Sequence, residues 1–148
     1  MKKKFLIGAA IAVAVIAIIV VAILIFKAPP MLTQERTEVA KVTLTLNPGT
    51  EQATVIELQQ RADMYTICAL LENAKSRKNF SYGQEGAAQN PAHEITIAYK
   101  NGVQDRFFSA GEDDIILRCI NPDEPIEKQK FVRGNCEGLS EHLKVWYE

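Results

Sequence analysis

Apolar and polar residues alternate with different periods along this chain, and each change of period marks an element. Phe5 to Phe26 is a run of 22 residues with no charged or polar side chain. At about 1.5 Å per residue such a helix is roughly 33 Å long, close to the ~30 Å hydrocarbon thickness of a bilayer. A helix also closes its backbone hydrogen bonds within itself at that depth. Ala28-Pro29-Pro30 ends it, since proline lacks the N–H and restricts the residue before it. Residues 28–36 then read as a short polar tether. Val42, Leu44 and Leu46 alternate with Thr43 and Thr45, the period of a half-buried strand. Asn47-Pro48-Gly49-Thr50 is turn chemistry, and Thr54, Ile56 and Leu58 resume the alternation, which predicts one hairpin over 38–58.

The period shifts from 2 to 3.6 at Asp63. Met64, Ile67, Cys68, Leu71 and Ala74 form one helical stripe, with Asp63 placed to cap it and Lys75, Arg77 and Lys78 at the end where cations suit the dipole. Residues 79–92 read as loop. Ile95, Ile97 and Tyr99 alternate again, and Asn101-Gly102 predicts a type I′ hairpin turn leading back through Phe107 and Phe108. Ile115 to Ile120 reads as a further strand, and the prolines between Asn121 and Pro125 break the ladder. In the tail, Leu139, His142, Leu143 and Trp146 fit a helical stripe, so a short helix is expected from Glu137 to Tyr147, against a strand reading of Val145 and Tyr147.

The predicted fold class is α+β: an N-terminal single transmembrane helix, then a small antiparallel sheet with one helix packed on it. Residues 1–27 are read as a cytoplasmic tip and transmembrane anchor, 28–36 as linker, and 37–148 as an extracytoplasmic α+β domain. About 120 residues suffice for one compact domain. Cysteine is absent before Cys68, so no lipidation site flanks the apolar run, and Leu24-Ile25-Phe26-Lys27-Ala28-Pro29 offers no A-x-A cleavage site. Both points favour a retained anchor over a cleaved signal peptide. The pairs Gly8/Ala12 and Ala10/Ala14 fit a small-residue packing face, but an alanine-rich run produces them by composition.

Charge refines the topology. Lys2, Lys3 and Lys4 precede the run and Lys27 alone follows it, which places the N-terminus in the cytoplasm. Of 17 Lys and Arg, these four leave 13 in the outer part against all 18 Asp and Glu, a net of −5. That balance argues against a nucleic-acid surface, which needs clustered cations.

Candidate chemistry is sparse. Cys68 lies on the helical stripe and reads as a small core residue. Cys119 and Cys136 are the candidate disulfide; outside the cytoplasm they either pair or stand as two core thiols. No Cys or His spacing fits zinc, and His93 and His142 are the two histidines. Ser76, Ser81, Ser109 and Ser140 sit in no nucleophile-elbow context. Glu112-Asp113-Asp114 reads as a solvated turn rather than a calcium loop. Asn79-Phe80-Ser81 matches a glycosylation sequon, meaningful only in a eukaryotic secretory route. No catalytic, cofactor or metal residues are assigned.

VTLTLNPGTEQATVIELQQRADMYTICALLENAK, HEITIAYKNG and DDIILRC together resemble the small extracytoplasmic domains of unknown function found on Gram-positive lipoproteins and single-pass membrane proteins. The resemblance is architectural and covers about residues 38–120. This chain departs from it by using a helical anchor in place of a lipobox cysteine. The resemblance implies a bacterial cell-envelope location and a non-enzymatic binding or accessory role. The partners expected are the membrane through residues 5–26 and an envelope protein or peptide, with an edge strand at 38–46 or 103–110 receiving it by strand addition. The alternatives are an envelope hydrolase using a histidine or serine, and an assembly subunit that acts through its membrane helix.

Overall fold

The computed structural model describes residues 2–82, 90–109, 114–125 and 128–147. Helix α1 spans Lys2–Phe26. Its apolar stretch Ile7–Ile25 is not buried against any other part of the protein. The rest is an α+β unit built on seven antiparallel strands: β1 (Val39–Leu46), β2 (Thr54–Glu57), β3 (Lys75–Tyr82), β4 (His93–Tyr99), β5 (Gln104–Ser109), β6 (Ile115–Cys119) and β7 (Lys130–Asn135). The spatial order is β2-β1-β4-β5-β6-β7-β3. Helices α2 (Arg61–Asn73) and α3 (Leu139–Tyr147) contribute to the core, so two helices rather than one pack with the sheet.

Strand alternation sorts side chains onto two faces. Val42, Leu44, Ile95, Ile97, Phe107, Ile116 and Val132 line the face that meets α2 through Ile67, Cys68 and Leu71, and α3 through Leu139 and Leu143. Phe108, Leu117, Cys119 and Phe131 form a second buried cluster, with the rings of Phe108 and Phe131 edge to face at 6.0 Å. In β5 and β6, adjacent residues Phe107 and Phe108, or Ile116 and Leu117, therefore belong to opposite faces.

Four sequence expectations change. Residues 75–82, expected as helix end and loop, form edge strand β3, paired with β7 through a register shift between Ser76 and Phe80. KSRKNFSY carries no period-2 apolar signal, because an edge strand with a broken register need not bury alternate side chains. Strand β7 was not anticipated either. The strands expected at the edge are interior: β1 pairs with β2 and β4, and β5 pairs with β4 and β6. Among the described residues, the open edges are β2 and β3. Asp63 lies in the first turn of α2 rather than at its cap, which is Gln60 with no side-chain capping bond.

The turn after β4 also differs from the expected type I′ form. Gly102 has φ 85° and its N–H donates to Tyr99 O at 2.9 Å, while Asn101 does not enter positive φ. Tyr99 N–H then donates to Val103 O at 2.9 Å, and Val103 N–H to Asn101 Oδ1 at 3.1 Å. This is a type I turn closed by a left-handed glycine, the next commonest hairpin solution.

Candidate functional site

The expected linker is part of the domain. Met31 and Leu32 are buried in the main core. The segment crosses the sheet from the β3 edge towards β1, held by side chains on β3, β6 and β5. Ser76 Oγ, on β3, donates to Pro29 O at 2.7 Å. Arg118 Nη2, on β6, donates to Pro30 O at 3.2 Å. Gly134 on β7 makes room for Met31: a Cβ there would stand 3.1 Å from the methionine Sδ and Cε. Beyond Arg36–Glu38, a single 3₁₀ turn, Lys100 N–H donates to Glu38 O at 2.9 Å and β1 begins.

Asp105 is the hub. This carboxylate on β5 is 2% exposed. Thr33 N–H donates to Oδ2 at 2.8 Å, Thr33 Oγ1 donates to Oδ1 at 2.9 Å, and the Tyr99 hydroxyl donates to Oδ2 at 2.6 Å. Arg118 Nη1 stands 3.8 Å from Oδ1, a largely buried ion pair. Burial, then the bond to Asp105, pushes the Tyr99 phenol up, so it remains a donor. A buried carboxylate is tolerable only when its lone pairs are occupied and a cation is near. Both conditions hold, and the result is a lock on the chain that leaves α1.

The network was readable in part. Asp105 and Phe107 share a face by parity, so an inward Asp105 followed from an inward Phe107. The apolar pair Met31-Leu32 inside the supposed tether was the other signal.

The remaining candidates disperse. Cys119 and Cys136 are free thiols in different apolar clusters. Cys136 Sγ donates to Leu70 O at 3.2 Å, while Cys119 Sγ lies 3.6 Å from Gln129 Oε1. The two residues sit on opposite faces of the sheet, which sets them apart from the expected candidate pair. Burial raises all three thiols, Cys68 to about 12 and Cys136 to about 11. Cys68 fills the core, as its place on the stripe implies.

His93 is buried, stacks on the Tyr147 ring at 5.5 Å, and has no partner for Nδ1 among the described residues. Burial lowers its pKa. His142 is exposed on α3. Ser109, opposite His93 in the β4–β5 ladder, is buried, and Ser76 serves the strap. The side chain of Ser81 and residues Glu112 and Asp113 lie outside the described residues. Asp114 joins Asn73, Lys75, Asn135 and Glu137 around an open polar cavity of about 300 Å³. A shallow groove of about 320 Å³ runs along Pro30–Glu35 and Glu72. Among the described residues, no three His, Cys, Asp or Glu side chains gather to hold a metal ion.

No protein-family model, curated protein or solved structure matches this chain.

Proposed function

We propose that this chain is a single-pass membrane protein whose α+β domain lies outside the cytoplasm as a non-enzymatic binding or accessory module of the bacterial cell envelope. The observation that carries the reading is the contrast between α1 and everything after it. Ile7, Ile11, Ile18, Leu24 and the other large apolar side chains between Ile7 and Ile25 are each about half or more exposed within the protein. Covering each such side chain stabilises by roughly 1.5–3 kcal/mol, so a dozen of them left in water would outweigh the ~5–15 kcal/mol stability of an ordinary domain. A bilayer removes that cost without asking anything of the domain. Lysines 2–4 ahead of the run favour a cytoplasmic N-terminus.

The accessory role is supported by the chemistry of the reactive groups. The thiols are buried and raised, and His93 is buried and held neutral. The carboxylate with the richest set of partners, Asp105, is committed to the strap. Strand β2 offers a binding edge, with Thr54, Val55 and Glu57 exposed and Val55 at 65%. Its outward N–H and C=O groups can receive a strand from an envelope protein or peptide.

The test uses the full chain in its membrane, with a photo-crosslinking residue at Val55. A discrete adduct with an envelope protein, absent when the probe replaces Val145 on α3, is the expected result. Equal labelling at both positions counts against the binding edge. Resistance to alkaline carbonate extraction and digestion of the domain by protease added outside the membrane are expected for the anchor. A freely soluble or fully protected domain overturns it.

A further inference from the structure

The strap fixes where the domain stands relative to the lipid. Only Lys27 and Ala28 separate the last residue of α1, Phe26, from Pro29, whose carbonyl is already bonded to the sheet. Three Cα-to-Cα steps span at most about 11 Å. The headgroup region on one side of a bilayer is about 5–8 Å deep. Pro29 therefore lies within the headgroups or just above them. Its partner is Ser76 at 2.7 Å, on β3, so the chain enters the domain at one edge of the sheet and not at its middle.

We propose that the β3 edge rests on the phospholipid headgroups of the bilayer that holds α1, leaving β2 as the edge open to other proteins. This rests on the membrane-anchor reading above. The sheet order puts β2 six strand spacings from β3, about 29 Å at ~4.8 Å each. Lys27 precedes the strap and the exposed Lys75 adjoins Ser76, beside Asp114 and Glu137 of the same polar cavity, so the placement rests on the length of the connection and not on net charge. The outward backbone groups of β3 meet phosphates, ammonium groups and water there. Strand addition at that edge is blocked by the bilayer itself, which spares the protein one of its two aggregation-prone edges.

The experiment reconstitutes the full chain into vesicles of phosphatidylethanolamine with a minority of phosphatidylglycerol. A fluorophore is placed on Lys75→Cys, on Asn73→Cys or on Val55→Cys, and a lipid with a nitroxide on its headgroup serves as quencher. The native thiols are buried and slow to react, so each introduced cysteine is labelled selectively. Several-fold stronger quenching at positions 75 and 73 than at 55 is the expected result. Equal quenching at all three, in a chain that still resists carbonate extraction, overturns the edge placement and leaves the anchor standing. A chain that carbonate strips from the vesicles overturns the anchor, and the edge placement with it.

Discussion

Replacing Asp105 by alanine removes the acceptor of the Thr33 and Tyr99 donors and leaves Arg118 largely buried beside no carboxylate. Breaking a buried pair from one side costs about 3–5 kcal/mol. A loss of that order in unfolding free energy, read from a lower denaturant midpoint at unchanged slope, is expected. Asp105→Asn keeps the shape and one acceptor oxygen, so a smaller loss is expected from it. His93 gives a pH dependence whose sign is set by its lowered pKa. The unfolded chain takes up the proton first, so stability is complete above the unfolded value of 6.5 and is lost as pH falls through it. Thermal unfolding followed between pH 7.5 and 5 should show this slope, and His93→Phe should flatten it. Since burial holds Cys68 near 12 and Cys136 near 11, maleimide at neutral pH should leave the native thiols unmodified until the domain is denatured.

At the scale of elements, the strap 29–33 behaves as an additional layer of the core. A fragment beginning at residue 37 loses Met31, Leu32 and Thr33 and leaves Asp105 and Arg118 without their strap partners. Its expected stability is several kcal/mol below that of a fragment beginning at 28, at about 2–5 kcal/mol for the buried methionine alone. Circular dichroism melts of the two fragments check this. Gly134→Ala brings a methyl to 3.1 Å from the end of the Met31 side chain, so a modest loss is expected, and Met31→Ala should relieve it in a double-mutant cycle. Elements with a strong period were legible in advance. The helical stripe forms from Met64 to Leu71, with Ala74 extended just past the helix end, and the hairpin around Asn101-Gly102 and the tail helix with Leu139 and Leu143 inward form as well. Strand β3 has no such period, and β7, with Phe131 and Val132 buried on opposite faces, reads as a short apolar pair rather than an alternation.

For the whole molecule, the proposed reading joins a membrane helix, a strap with two residues of slack and a sheet whose far edge is exposed. Short slack has a functional consequence. Lengthening the connection between Phe26 and Pro29 by a flexible Gly-Ser insert leaves every described contact of the domain in place but frees its edge from the lipid. Unchanged thermal stability of the domain, together with weaker headgroup quenching at position 75, is the expected pairing. A fall in stability would instead mean that the domain draws on the membrane for its fold.

Local periodicity determined the greasy helix, the hairpins and the helices, because each depends on which side chains share a face within a few residues. Composition determined the −5 charge of residues 28–148 and the scarcity of reactive residues. Tertiary structure alone decided the strand order, and with it which edges stay open. It separated Cys119 from Cys136 by placing them on opposite faces. It turned a stretch of polar appearance into a locked strap, because Thr33 meets Asp105 across 72 residues of sequence. Long-range pairing of that kind depends on which backbone segments lie side by side, and no local period encodes it.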